Sequence, residues 1–378
     1  MRPLTIIMLT FVLLFGLLWQ FLWTSFGSAK LYQSFFQGIF SLSFGVTQNT
    51  SLPIHHSSSK PQGLAIGWSL DTGAQNLIQT MQHSPGLYAL APKWIHVVNA
   101  YGDISFHLEP QVITYAHRHH IRVYAVIDNG FSGQMTHDWL RFRDRQDALI
   151  KTLTTLCKKD HLDGINVDFE GLSPMDRWNY SRFIQVLSQS LHAISRTVTV
   201  DLPPDLTVGQ NTGPYDHQKI ASAADAIFVM GYDEHWGGDP IAGPTASLPF
   251  VKRAIQDMLT THVPADKLLL GVPFYTENWT ISSNGNVLTS SPISMLQEQS
   301  YETAHWHTSF LPNVGLDFIR YHQSGVIHEI WLEDLRALLL LYDLAVQNHL
   351  KGIACWYLGI EQPSAWSSLV ASLHATSA

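Results

Sequence analysis

Cysteine is all but missing from this chain: it carries two, Cys157 and Cys355, far apart and in no C-x-x-C pair. A disulfide framework and a thiolate zinc site are therefore not indicated. Cys157 falls in a helical stretch and Cys355 in an apolar strand, so both are expected as buried free thiols. Charge is scarce too. Only 14% of residues are charged, the formal net charge is −8 and no basic cluster occurs, which argues against a nucleic-acid partner. The run His117-Arg118-His119-His120 has no carboxylate or Cys companion at ligand spacing. No metal and no other cofactor is expected.

Apolar residues make up 46% of the 378 positions, ample for one large core. Leu4 to Trp23 form an apolar run broken only by Thr, Gly and Gln and preceded by Arg2. Its length suits a membrane-spanning helix. Residues 1–29 are thus expected to be a signal anchor or a signal peptide, with Gly27-Ser28-Ala29 as the cleavage site in the second case. Residues 30–62, with Ser57-Ser58-Ser59 and two prolines towards the end, read as a linker; His55-His56 within it reads as solvated. The rest of the chain is expected to be exported, either anchored on the outer face of the membrane or secreted to the cell wall, as a monomer.

From residue 63 to 378 short apolar runs alternate with helical stretches. The runs are Gly63–Trp68, Trp94–Asn99, Arg122–Asp128, Gly164–Glu170, Thr197–Leu202, Ala226–Tyr232, Leu268–Tyr275 and Gly352–Leu358. Eight such units suit a (β/α)8 TIM barrel better than an open sheet. One helix is marked clearly: Ser173 caps it, Pro174 fits its first turn, and Trp178, Phe183, Val186, Leu187 and Leu191 form its apolar stripe. The outsized connection at about 276–333 contains Asn284-Gly285, a hairpin-turn signal, and is expected to be a small α+β insertion between the seventh and eighth strands.

The fourth run carries the chemistry. Ile165, Val167 and Phe169 alternate with Asn166, Asp168 and Glu170, so the three polar side chains share one face of a strand. A solvated edge strand would explain them blandly. Buried together, the two carboxyls cannot both ionise easily, and one stays protonated to act as a general acid. Catalytic groups of a barrel sit at the C-terminal ends of its strands. Reading those ends gives Asn129, Glu170, Asp201, Tyr232, Asp233, Tyr275 and Trp356.

Asp163-Gly164-Ile165-Asn166-Val167-Asp168-Phe169-Glu170 resembles the signature strand of glycoside hydrolase family 18, Asp-x-x-Asp-x-Asp-x-Glu. Asn166 stands where most chitinases of that family have the first Asp of the Asp-x-Asp-x-Glu core. The Asn form resembles the bacterial spore-cortex and cell-wall N-acetylglucosaminidase branch. Met230-Gly231-Tyr232-Asp233 resembles the family's Met-x-Tyr-Asp motif. Trp356 matches the Trp that floors the site, and the segments ending at Tyr275 and containing Glu333 also look like family segments. The resemblance implies that Glu170 is the acid, Asp168 orients the substrate's acetamido group and Tyr232 holds its carbonyl. Asn166, Asp233, Trp356, Tyr275, Asn129, Met230, Asp201 and Glu333 would complete the substrate site. It also implies retaining, substrate-assisted hydrolysis of N-acetylglucosamine-containing glycans, with peptidoglycan ahead of chitin-type oligomers. A non-catalytic glycan receptor is the rival reading. Glu277-Asn278 follows Tyr275 where spore-type relatives would carry an Arg.

Overall fold

Eight of the apolar runs pair side by side into one closed parallel sheet. The computed structural model describes residues 64–375 apart from 72, 206, 304 and 305. Leu4–Trp23, the 30–62 linker and His55-His56 lie outside the described residues. Within them, no helix is long and apolar enough to cross a membrane. The barrel strands are β1 (Leu64–Ser69), β2 (Ala89–Val97), β4 (Arg122–Asp128), β5 (Gly164–Asp168), β6 (Thr197–Leu202), β7 (Ala226–Met230), β8 (Leu268–Pro273) and β14 (Gly352–Trp356). A short β3 (Ile104–Phe106) adds antiparallel to β2. The order is β1-β14-β8-β7-β6-β5-β4-β2, and β1 pairs again with β2 to close the ring.

Closure gives each strand two buried faces. Inside, Ile66, Trp68, Ala91, Val126, Phe228 and Leu269 plug the lumen. Outside, Ile165, Val167 and Phe169 join the larger core beneath the helices. The strands differ in length from the sequence reading. The second begins at Ala89, five residues before Trp94, while the fourth, sixth and seventh stop at Asp168, Met230 and Pro273. Glu170, Tyr232 and Asp233 therefore stand just beyond strand ends, on backbone free to turn towards the cleft.

The helices α1 (Ala74–His83), α2 (Pro110–Arg118), α3 (Gly133–Leu140), α4 (Arg143–Lys159), α5 (Arg177–His192), α6 (His217–Ala223) and α7 (Leu248–Thr260) follow in turn. Ser173 caps a 3₁₀ turn, Pro174–Asp176, that runs directly into α5. Its Oγ accepts from the Met175 N–H at 3.3 Å, while Asp176 Oδ2 accepts from the Ser173 N–H at 3.0 Å. This reciprocal capping box satisfies two donors of the helix start. Phe183, Leu187 and Leu191 are buried. Trp178 is not on the stripe: it is 64% exposed, with the Lys219 ammonium 5.3 Å from its ring. Both cysteines are buried free thiols, and burial pushes Cys157 up to about 12.

His117 does find a carboxylate, contrary to the reading of its spacing. Its Nε2 lies 2.8 Å from Asp163 Oδ2, which also accepts from the Val123 N–H. The contact ties the end of α2 to the entry of β5.

Between β8 and β14 the chain builds a second sheet. β9 (Tyr275–Ile281), β10 (Val287–Ser294), β11 (Thr308–Leu311), β12 (Leu316–Gln323) and β13 (Val326–Leu332) pair antiparallel in the order β10-β9-β13-β12-β11. Helix α8 (Met295–Thr303) follows β10, and α9 (Leu335–Gln347) and α10 (Ser364–Ala375) flank β14 in the chain. Asn284-Gly285 makes the β9–β10 turn, with Gly285 at φ +85°. Ile293, Ile319, Tyr321, Ile330 and Leu332 give this insertion its own core.

Candidate active site

β5 lies between β4 and β6, not at an edge, so its polar face looks into the lumen. Asn166 is 0% and Asp168 6% exposed. Buried polar groups at that depth need partners. Asn166 has three: Nδ2 donates to Asp201 Oδ1 at 2.7 Å and to Thr199 Oγ1 at 3.0 Å, and Oδ1 accepts from Trp68 Nε1 at 3.0 Å. Burial first, then the Asp168 charge, pushes the Asp201 carboxyl well up, against the Asn166 bond. Asp201 therefore serves Asn166 inside the lumen.

One step further out, Glu170 is held by its backbone. Asn129 Oδ1 accepts from the Glu170 N–H at 3.0 Å, and Asn129 Nδ2 donates to the Glu170 carbonyl at 2.8 Å and to Thr136 Oγ1 at 2.9 Å. The Tyr215 hydroxyl donates to the preceding carbonyl, that of Phe169, at 2.9 Å. Behind this turn a Cβ on Gly133 would lie 1.9 Å from the Gly171 carbonyl oxygen. Only glycine allows the two loops to close there.

Burial is the largest influence on both acids. It pushes Asp168 up to about 6, helped by the Asp128 charge and opposed by the Lys93 ammonium. It pushes Glu170 up to about 8, reinforced by the Asp168 charge and again opposed by Lys93. At neutral pH Glu170 keeps its proton while Asp168 is mostly charged. Lys93 and Asp128 were not among the residues read from the sequence. Lys93 Nζ stands 3.6 Å from Asp168 Oδ2 and 3.7 Å from Asp128 Oδ2, and His96 Nδ1 lies 2.6 Å from the same Asp128 oxygen.

Aromatic rings complete the pocket. Tyr232 stacks on Trp356 with centroids 6.2 Å apart and planes 17° from parallel, and Trp356 meets Trp68 edge-on at 5.6 Å. Burial raises the Tyr232 hydroxyl well above the phenol range, so it is a neutral donor. Met230, the last residue of β7, is buried in the larger core. Asp233 turns at φ 60°, where its Oδ1 accepts from the Tyr275 hydroxyl. Burial raises Asp233 against that bond.

Glu333 is placed differently. It is 2% exposed, its Oε1 accepts from the Ala246 N–H at 2.8 Å, and its charge acts on the Tyr275 hydroxyl. A further cluster, Asp205, His217 and Asp257, brings ligand atoms within 4.8 Å of one another. Asp257 spends one oxygen on the Asp205 N–H and the other on the Gly209 N–H. That is the bonding of a loop pin, and no metal is assigned to it.

A protonated carboxyl beside a charged one, over a floor of stacked rings at the mouth of a barrel, suits cleavage of a glycosidic bond. The class this defines is a glycoside hydrolase. The sequence profile of Glycosyl hydrolases family 18 matches residues 99–360, which span the signature strand and the insertion. The chain belongs to glycoside hydrolase family 18. It is 28% identical over 327 residues to the uncharacterised glycosylase YvbX of Bacillus subtilis, covering 82% of this chain and 92% of that protein. It is 26% identical over 256 residues to the cortical fragment-lytic enzyme of Bacillus anthracis, covering 65% of this chain and 57% of that one. The spore cortex-lytic enzyme SleL of Bacillus cereus superposes with a TM-score of 0.74 at 22% identity, over 82% of this chain and 75% of its own. A chitinase of Chromobacterium violaceum does so with 0.72 at 23% identity, over 82% and 99%. These two structures share the fold.

Proposed function

We propose that this hydrolase cleaves β-1,4 bonds of N-acetylglucosamine-containing glycans, with peptidoglycan as the foremost substrate, and retains the anomeric configuration. The observation that carries it is the split between Glu170 and Asp168, one protonated and the other charged at neutral pH. Glu170 gives its proton to the glycosidic oxygen as that bond to the anomeric carbon breaks. The substrate's acetamido oxygen closes on the same carbon from the opposite face, giving an oxazolinium ion. Asp168 orients the acetamido N–H and balances the positive charge, and the Tyr232 hydroxyl donates to the acetamido oxygen. Water, deprotonated by the Glu170 carboxylate, opens the ring from the face the leaving group left. Two displacements at one carbon amount to retention.

Two further points support the choice of substrate and place. Relatives named as cortical fragment-lytic enzymes favour a bacterial wall glycan over chitin. The apolar run Leu4–Trp23 favours an exported chain held at the outer face of the membrane or released to the wall.

The test is to incubate the full chain, in detergent, with purified peptidoglycan and separately with N-acetylglucosamine oligomers. New reducing ends are counted beside a Glu170→Gln control. Release from peptidoglycan that vanishes in the control is expected. Release from the oligomers alone would make chitin-type chains the substrate. Equal glycan binding by both proteins with no release from either would overturn hydrolysis in favour of a receptor.

A further inference from the structure

Lys93 is a lysine inside a barrel, where a cation without a purpose is costly. Its place there depends on an irregularity of β2. Ala89 and Ala91 point into the lumen, and Lys93 continues their alternation. On a regular strand His96, three residues on, would face the other way. The pairing of β2 with β4 slips by one residue between Lys93 and Ile95, where Trp94 and Ile95 both join the outer core. The slip is a bulge, and it brings Lys93 and His96 onto one face. Both then meet Asp128 Oδ2, and Lys93 also meets Asp168 Oδ2.

We propose that Lys93 is a positioning residue, the counter-ion that keeps Asp168 charged and holds it in place beside Glu170. The proposal rests on the reading of Asp168 and Glu170 given above. Among the described residues Lys93 is the cation paired with Asp168. Asn166, two residues away on the same face, cannot share that task, because its amide is spent on Asp201, Thr199 and Trp68. The other titratable neighbours of Asp168 are acids or phenols: Asp128 on β4, Glu170 beyond β5, Asp201 on β6, Tyr215 beyond β6, Tyr232 beyond β7 and Tyr180 on α5. His96, anchored to Asp128, holds that second carboxylate in place. At 3.6 and 3.7 Å the ammonium is shared between two carboxylates and locked to neither.

The test is the pH dependence of kcat for the full chain on N-acetylglucosamine oligomers. Lys93→Met removes the charge that opposes protonation of both Asp168 and Glu170, so both limbs should move to higher pH. With the acid limb displaced by about one unit, kcat below it falls about tenfold while KM stays put. Asp128→Asn removes a negative charge and should move the limbs the opposite way. Lys93→Arg should restore the native profile. A role confined to folding would lower the melting temperature and leave the limbs in place. Limbs in Lys93→Met at their native positions overturn the proposal. If that variant does not fold, an unshifted acid limb in Asp128→Asn overturns it. Glu170→Gln is assayed alongside: an active variant defeats the reading of the whole site, whereas an inert one beside unshifted limbs defeats only the role of Lys93.

Discussion

Asn129 grips Glu170 by its peptide group, taking the N–H with one end of its amide and the carbonyl with the other. The acid is therefore aimed from the backbone, and its carboxyl is left free for the substrate. Asn129→Ala orphans both Glu170 groups, while Thr136 keeps its bond to the Ser132 carbonyl. A loss of about 1–3 kcal/mol of stability is expected in denaturant unfolding, together with a fall in kcat larger than any change in KM. Asn129→Asp should be worse than Asn129→Ala, because an acceptor then faces the Glu170 carbonyl.

The two raised carboxyls set the pH range of the reaction. Activity needs Asp168 charged, which holds above about 6, and Glu170 protonated, which holds below about 8. A bell-shaped profile of kcat/KM centred near neutrality is expected, its limbs belonging to the interacting pair. A profile still rising beyond pH 9 would deny Glu170 the role of acid.

The same titration of Glu170 links stability to pH. Glu170 is raised in the fold above its ordinary value of 4.5, to about 8. The stabilisation from its buried protonated form is full below the unfolded value and is lost as pH rises through the folded one. Glu170→Gln is neutral at every pH and escapes that loss. Its melting temperature should exceed that of the native chain at pH 9, by a few degrees, and match it closely at pH 5. A calorimetric scan at the two pH values checks this.

Much of this site follows from a period of two. Ile165, Val167 and Phe169 against Asn166, Asp168 and Glu170 fix which side chains enter the lumen, and the strand ends supply Asn129, Tyr232 and Asp233. Lys93 escaped because a bulge breaks that period, and because a lone lysine ahead of an apolar run resembles a solvated flank. Trp178 misled for a geometric reason: five residues at 100° each place it about 140° from Phe183 around the helix. Glu333 is spent on Ala246, 87 residues away in sequence, a pairing that no local pattern records. The same holds for Asn129 and Glu170, 41 apart: the Asn was visible at a strand end, its grip was not.

The most direct measurement is the anomeric configuration of the fresh product. An N-acetylglucosamine oligomer is hydrolysed in the NMR tube, and the new reducing end is read before mutarotation. The β-anomer is expected first, decaying to the equilibrium mixture, because the acetamido oxygen and then water displace in turn at one carbon. The α-anomer appearing first would mean a single displacement by water, and would contradict the roles given to Asp168 and Tyr232.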